Sequence, residues 1–503
     1  MNQASATVQA SQDSPHAAVR NAIASRPEAL GEADAPDRDH RHPLASLPKK
    51  DQQESRTSGI RDGLCQAVAQ GIGEHYFSAF ALMLKATPLQ IGWLSALPQL
   101  VGAWAQIYAT SRALSHLSRK KLILFGSFGQ AVAWFPLFLL PLLIADQAAA
   151  LFIIGVVVYA ALGHVTVPAW NSLITDIVGP NLRGRYFGRR AQLMAVANFA
   201  ALAAGGFLLH VSERWSSTWG GFALLFLLAA TARALSSFFL GRLADVPVAH
   251  SAIQSAGFID LLVRRSSPDF RRFLCFSGLM HAATLLAGPY FVVYLLQDLH
   301  LSYVEYGVWL AAQMVGQFVS LKAWGRLGDR CGHAAVLTVT GYLVPVLPML
   351  YLFSNHVTFL ICVNFVAGMV WSGFSLGLQN YIFDAVPAGD KGRAVALANT
   401  INAMGWFAGA LVGGWLAGWL PTRLLGFGIE WSLVSNLPLL FLVSGCLRLA
   451  VSALFLPGLR ELRTEGLCSI RRLLAHLPVL QPLHRVVRRS RGKPRAPVRQ
   501  SSE

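Results

Sequence analysis

The sequence predicts an all-α integral membrane protein with twelve transmembrane helices in two pseudo-symmetric six-helix bundles. Three observations carry that prediction. The 503 residues are 54% hydrophobic and only 13% charged, against about 25% charge in an ordinary soluble domain. Mean hydropathy is +0.46. The apolar residues fall in continuous stretches long enough to cross a bilayer, and the pattern of the first six stretches returns in the last six.

Residues 1–58 are polar and rich in Ala, Ser, Asp, Gln and Pro. They read as a disordered tail, not as a signal peptide, because no apolar segment follows a basic start. A bilayer crossing takes about 20 residues, and twelve such segments follow. They lie near 64–84, 91–110, 122–144, 150–176, 190–211, 219–241, 272–297, 303–324, 335–354, 357–384, 394–420 and 433–457. Their continuous apolarity fits helices; barrel strands would be shorter and would alternate. The expected division is a tail at 1–58, one bundle at 59–241, a connector at 242–271, a second bundle at 272–457, and a basic, Pro-interrupted tail at 458–503.

Orientation follows from Lys and Arg. The connectors after even-numbered spans hold seventeen of them, including Arg119, Lys120, Arg183, Arg185, Arg326, Arg330, Lys391 and Arg393. The opposite connectors hold three, Lys85, Arg214 and Arg423. The bias puts both termini and the 242–271 connector in the cytoplasm of a protein of the cell (inner) membrane. The net charge of +17 is therefore read as topology and contact with anionic lipid, and no nucleic-acid partner is expected. The six scattered cysteines form no CxxC pair, which argues against a disulfide framework or a zinc site.

The repeat has a fixed spacing. "ITDIVGPNLRGR" (174–185) and "IFDAVPAGDKGR" (382–393) superpose Asp176 on Asp384 and Arg183-Gly184-Arg185 on Lys391-Gly392-Arg393 at an offset of 208. The same offset carries Asn171 onto Gln379 and Gly205-Gly206 onto Gly413-Gly414. "LLFLLAATARAL" (224–235) resembles "LLFLVSGCLRLA" (439–450), placing Arg233 on Arg448. Halves of equal orientation make a parallel repeat about an axis normal to the membrane.

These residues carry a family resemblance. The connector "GRLGDRCG" (325–332) resembles the G-x-L-x-D-R-x-G signature of the major facilitator superfamily, with His333 and Ala334 where basic residues normally follow. The first half has "SRALSHLSRKK" (111–121), which keeps the basic end but has Ser111 and Ser115 where Gly and Asp would stand. The acid-x6-Arg/Lys-Gly pattern after spans 4 and 10 resembles that family's second loop signature. The resemblance covers about residues 60–457. It implies a secondary transporter working by alternating access, with spans 1, 4, 7 and 10 lining a central cavity and spans 6 and 12 peripheral. It gives no substrate.

An acid at a helix end facing basic groups suits a latch between the bundles at the cytoplasmic side. Its expected members are Asp176, Arg183, Arg185, Asp329, Arg330, Asp384, Lys391 and Arg393, with Gly184 and Gly392 turning the backbone. Within the spans an ionisable group costs about 2.5–3.5 kcal/mol near the bilayer centre. Glu74 in "GIGEHYFS" is therefore the first candidate for proton coupling, and Gly71, Glu74, His75 and Ser78 share one helical face. His75, His164, Asn171, His281, Gln313 and Gln379 are candidate hydrogen-bonding partners for a substrate. Trp170, Tyr290, Tyr294 and Trp371 are candidate aromatic walls. Arg233 and Arg448 are read as structural, either snorkelling or pairing with loop acids, with an anion-binding role as the alternative. Small residues at Ala200–Gly206 and Gly409–Gly414 are read as the place where the halves slide.

No GxxxxGK[ST] or HExxH motif occurs, and the one GxSxG string, "GFSLG" (373–377), lies inside an apolar span and not at the strand-to-helix turn that a nucleophile elbow needs, so no catalytic residue, cofactor or metal is expected and an enzyme is not. The leading reading is a secondary transporter of a small solute, with protons as a coupling ion, acting as a monomer among membrane lipids. The alternatives are a translocase for lipids or amphiphiles, which would expose polar groups between spans 5 and 8 or 2 and 11, and a non-transporting membrane scaffold or assembly factor.

Overall fold

A computed structural model describes residues 48–109, 117–144, 146–178, 182–215, 217–245, 267–386, 391–421, 423–426, 429–432 and 435–459. They form twelve helical segments in the expected order, all within the unit Pro43–Glu503. Span 1 is a helix over Lys49–Ile72 that tightens into a 3-10 turn at Glu74–Tyr76 and resumes over Phe77–Met83. Spans 2 to 6 are Pro88–Ala109, Arg119–Leu143, Ala148–Ile177, Arg183–Arg214 and Thr218–Gly241. Span 7 comprises Pro268–Leu285, Tyr290–Val293 and a π turn at Tyr294–Asp298. Span 8 is Tyr303–Cys331, and span 9 comprises His333–Leu343, Val346–Met349 and Leu350–Leu352. Spans 10 to 12 are Val357–Ala385, Lys391–Trp419 and Leu437–Phe455.

The described residues differ from the expectation in two places. The first helix starts at Lys49, so residues 49–58 belong to span 1 and not to a disordered tail; a polar but helix-favouring stretch, KKDQQESR, continues the apolar helix outward. The rest of the expected N-terminal tail, most of the 242–271 connector and nearly all of the 458–503 tail lie outside the described residues. Between spans 11 and 12 two short strands pair antiparallel, β1 (Arg423–Gly426) with β2 (Ile429–Ser432), with Gly426 opposite Ile429.

Nine of the helices among the described residues are long and apolar enough to cross a membrane by length and composition. The segments that fall short are spans 1, 2 and 8. Each carries glutamines inside its helix, among them Gln66, Gln70, Gln99, Gln313 and Gln317. Large apolar side chains on the outside, such as Trp104, Phe128, Phe207 and Trp419, are exposed, as a lipid-facing surface requires.

Helix pairing repeats between the halves. Span 1 packs on span 5 as span 7 does on span 11, and span 2 packs on span 4 as span 8 does on span 10. The bundles meet through spans 2 and 11 and through spans 5 and 8, pairs that a two-fold rotation exchanges. Small residues permit the close packing. A side chain at Gly405 or Gly409 would meet the carbonyl oxygens of Gly278 and Ala282 at 2.3 and 2.0 Å. That face of span 11 therefore docks on span 7 of its own bundle, not on a sliding surface between bundles. The contact between bundles is made by Gly414, beside Leu89 of span 2, and by Gly206, whose added Cβ would lie 3.6 Å from the Cα of Gly307.

The helix ends explain the loop motif. Ser302 and Glu305 form a capping box that starts span 8. Gly332 ends it with φ of 89°, a backbone state that L side chains disfavour. Gly328 lies where a Cβ would strike the ring of His333 at 2.8 Å. The glycines of GRLGDRCG thus let span 9 turn back tightly on span 8.

The core is shared at one end only. At the end away from the termini, one apolar cluster takes in Tyr76, Phe80, Leu202 and Phe222 from the first half and Tyr290, Tyr306, Trp309 and Phe441 from the second. At the end that carries the termini, the clusters are separate. One contains Leu122, Leu173, Ile177 and Leu240; another contains Phe270, Leu337, Phe374 and Tyr381. The bundles are joined at the far end and have independent cores at the terminal end.

Candidate functional site

The interruption of span 1 places Glu74 inside the protein. Gly73 admits the tight turn because a side chain there would meet Trp134 at 2.4 Å. Glu74 follows, and its Oε1 accepts a 2.6 Å hydrogen bond from the Tyr159 hydroxyl of span 4. Both line a cavity of about 530 Å³. Its polar wall includes Gln66, Gln70, Ser78, Ser95, Gln99 and Gln130 from the first bundle, together with His164, while Leu285 and Trp406 come from the second. The cavity therefore lies at the meeting of the two halves, though its chemistry is built mainly by the first.

Arg233 corrects the sequence reading. It does not snorkel: it is 3% exposed and lines the same chamber. Its Nε donates to Gln130 Oε1 at 2.9 Å and its Nη1 to Ser236 Oγ at 2.7 Å. Gln130 Nε2 donates in turn to the Tyr159 carbonyl at 3.0 Å. Ser236 donates to Asp62 Oδ1 at 2.7 Å, and the other Asp62 oxygen takes Arg190 Nη2 at 3.2 Å. Buried charges persist where hydrogen bonds and opposite charges compensate them, and this network supplies both. Asp62, unmarked by the sequence reading, is its centre. The signal for it was the four-residue spacing Asp62, Gln66, Gln70, Glu74, which draws one polar stripe along a helix.

The remaining candidates separate. His164 is on the chamber wall, its Nδ1 2.9 Å from the Ala160 carbonyl. His75 is half-buried beside Asn198 of span 5 and does not line the chamber. His281 packs on Trp406 with ring centroids 5.7 Å apart, one layer behind the wall. Asn171 is exposed near the terminal end. Gln379 belongs to a different cavity, a side cleft of about 600 Å³ between spans 5, 8 and 10 that also takes in Asn198, Gln317, Phe318 and Trp371. Gln313 is half-buried on span 8 against Gly368 of span 10 and lines neither cavity. Trp170 lies under the Arg190 guanidinium, 4.3 Å from ring centroid to Cζ. Arg448, the repeat partner of Arg233, is buried with no acid beside it among the described residues. Its guanidinium donates to Ser444 and to the carbonyls of Val344 and Thr284, where the first helices of spans 9 and 7 end. Helix C-termini favour a cation, so Arg448 pins two helix breaks and does not face a loop acid.

The expected latch is rearranged. Asp176 Oδ2 takes Arg119 Nη1 at 2.6 Å, and Asp384 lies 4.0 Å from His333 Nε2. Each pair joins elements of a single bundle, so neither ties the halves together. Arg185, Asp329 and Arg330 are exposed, and the side chains of Arg183, Lys391 and Arg393 lie outside the described residues.

At the far end, aromatic contacts close the chamber. Tyr76 and Tyr306 approach edge to face at 6.5 Å, as do Phe222 and Tyr303 at 5.5 Å. Tyr290 donates a 2.7 Å bond to the Ala410 carbonyl, and Gly92 leaves room for that hydroxyl.

Two duplicated helical bundles around a polar chamber sealed at one end define a multi-pass membrane transporter. The chain belongs to the Major Facilitator Superfamily, whose sequence profile matches residues 63–287 and 273–491. Among solved structures it is similar to the nucleoside transporter NupG (D323A mutant), with 13% identity, 80% of this chain and 99% of that one covered, and a TM-score of 0.63. It is also similar to a D-xylose-proton symporter, with 11% identity, 82% and 98% covered, and a TM-score of 0.61. A bacterial homologue of the iron transporter ferroportin in an inward-facing state gives 13% identity, 81% and 98% covered, and a TM-score of 0.60. These likenesses are of fold. No curated protein matches the chain.

Proposed function

We propose that this chain is a proton-coupled secondary transporter that moves a small polar solute by alternating access, with Glu74 as the proton carrier. The observation that carries the reading is the Glu74–Tyr159 bond inside a chamber that two bundles enclose and seal at one end only. Burial disfavours the charged form of a carboxylate, which suits a group that must take and release a proton. With the termini cytoplasmic, the sealed end faces outward and this arrangement is the inward-facing state. Rocking about the 2–11 and 5–8 contacts would open the far end and close the terminal one, bringing the charges near Asp176 and Asp384 together as a latch. In this reading the chain acts as a monomer of the cell membrane and not as an enzyme. The chamber volume weighs against a scaffold, which has no need of a hydrated centre.

The test is uptake in proteoliposomes across a panel of metabolites, with and without a pH gradient. A substrate-dependent pH change that Glu74→Gln abolishes is expected; an undiminished proton flux in that variant overturns the role of Glu74. A second reading, an amphiphile translocase, is favoured by the side cleft between spans 5 and 8, where Gln317 and Gln379 stand among apolar walls. Flipping of a fluorescent lysophospholipid by the same proteoliposomes, blocked by Phe318→Trp, would mark that activity.

A further inference from the structure

We propose that the solute is a small polar organic monoanion whose carboxylate binds Arg233 as Glu74 takes up a proton. The proposal rests on the proton-coupled reading above and adds the substrate class.

The first argument is a charge balance. Four ionisable groups, Asp62 and Arg233 buried and Arg190 and Glu74 half-buried, lie in the first bundle. Asp62 pairs directly with Arg190 and reaches Arg233 only through the Ser236 hydroxyl. Arg233 and Glu74 are thus the remaining cation and anion. They share the chamber wall, yet no ion pair of 4.0 Å or less joins them among the described residues. With Glu74 ionised the chamber is neutral overall. With Glu74 protonated it holds one uncompensated guanidinium, costly in a site of low dielectric. A monoanion removes that cost; a dianion would replace it with an excess of the opposite sign.

Geometry gives the second argument. Gln130 and Ser236 take Nε and Nη1 of Arg233 and fix the plane of its guanidinium. Among the described residues no protein acceptor takes Nη2, although the side chain is almost fully buried and borders the cavity. A pre-oriented guanidinium with a spare donor is a carboxylate receptor. Gln66, Gln70, Gln99, Ser78 and Ser95 offer amides and hydroxyls to the rest of the molecule, which suits a hydroxylated acid.

The groups that face Glu74 are Tyr159 and His164 from span 4, Gln70 from its own helix and Arg233 from span 6. The second bundle brings Leu285 and Trp406, neither of which titrates. His164 is therefore the other group able to link anion binding to pH, and the experiment separates the two.

The test uses the full chain in nanodiscs and calorimetric titration with lactate, gluconate and quinate. The neutral counterparts are propane-1,2-diol and sorbitol, and alanine serves as a zwitterion. The carboxylates are expected to bind more tightly at mildly acidic than at mildly alkaline pH, taking up a proton with each anion, while the neutral compounds are not. Arg233→Gln should lower carboxylate affinity on the order of tenfold to a hundredfold, the range for removing a charged hydrogen-bond partner. Glu74→Gln should bind the carboxylates with no pH dependence. The double variant E74Q/R233Q restores charge balance, so it should remain monodisperse and still bind no carboxylate; this guards against reading a misfolded single variant as a lost site. Equal binding of acids and neutral counterparts, undiminished binding by Arg233→Gln, preference for alanine, or binding of no compound by the unaltered chain overturns the proposal. A pH dependence that survives Glu74→Gln assigns the coupling to His164 and overturns it as well. Sorbitol-driven proton uptake that is lost in Glu74→Gln would remove the anion while leaving proton-coupled transport intact.

Discussion

The Tyr159 hydroxyl donates a 2.6 Å hydrogen bond to Glu74 Oε1 and so ties span 4 to the break in span 1. The bond holds the carboxylate against one wall of the chamber. Tyr159→Phe keeps the ring that packs on Phe77 and Trp134 at 5.9 and 5.1 Å and removes only the donor. A hydrogen bond to a charged group contributes about 1.5–3 kcal/mol. The variant is therefore expected to fold and to exchange solute across the membrane, but to lose most accumulation driven by a pH gradient. Counterflow and gradient-driven uptake, measured on the same proteoliposomes, separate these effects; equal losses in both would mean that the bond serves structure alone.

Asp62 holds a second junction. It is 2% exposed and answers both Arg190 and, through Ser236, Arg233. Asp62→Asn leaves two buried guanidinium groups to one carboxylate, Glu74, which touches neither at 4.0 Å or less among the described residues. Breaking a buried pair from one side costs about 3–5 kcal/mol, so the variant should unfold markedly earlier on heating. Arg190→Met added to Asp62→Asn removes the matching cation and should restore part of the loss. Intrinsic fluorescence melts of the single and double variants check this; additive losses would show that the two residues act independently.

The tight crossing of spans 7 and 11 predicts a contrast between glycines. A Cβ at Gly409 would meet the Ala282 carbonyl oxygen at 2.0 Å, whereas one at Gly418 meets nothing within 4 Å. Backbone cannot move aside as a side-chain tip can, and overpacking costs about 1–3 kcal/mol or more. Gly409→Val is expected to lower the melting temperature and the yield of monodisperse protein, and Gly418→Ala to leave both unchanged or slightly raised. Equal behaviour of the two variants would argue against the packing described.

Much of this architecture was legible in the chain, for a simple reason: continuous apolarity and basic connectors are one-dimensional signals. The repeat of Asp176 on Asp384 exposed the duplication for the same reason, and Glu74 stood out because a carboxylate inside an apolar span is rare. What was not legible depends on contacts between distant segments. Arg233 stands on a helix that the repeat places on the outside, yet it reaches inward to Gln130, 103 residues away. Asp176, placed by its motif in a latch between the bundles, pairs instead within its own bundle with Arg119, 57 residues earlier. Asp62 was hidden by a boundary drawn where apolarity stops, although the helix itself begins at Lys49. Gln379 was grouped with Glu74 because span 10 was expected to line the chamber, and the side cleft that holds it forms only when spans 5 and 8 meet.

The two closures of the protein should respond to opposite substitutions. Gly92 of span 2 lies where a Cβ would press on the Tyr290 hydroxyl at 2.6 Å and on the Ala410 carbonyl oxygen at 2.8 Å, inside the far-end seal between bundles. Gly92→Leu therefore penalises the state in which that seal is shut, by about 1–3 kcal/mol for overpacking, and should favour opening at the far end. Asp384 works from the other side. It stands at the terminal end with His333 beside it, where the separated bundles would close in the opposite state. Asp384→Arg places like charges around Lys391 and Arg393 and should disfavour that closure, by about 1 kcal/mol or less for partly exposed charges. A reporter cysteine replacing Ser95 of the chamber wall, in a background without the native cysteines, reads both effects. Membrane-impermeant thiol reagents should label it faster from outside in Gly92→Leu and faster from the cytoplasmic side in Asp384→Arg. Shifts of the same sign in the two variants, or none, would mean that the far-end seal and the terminal charges do not belong to one rocking equilibrium.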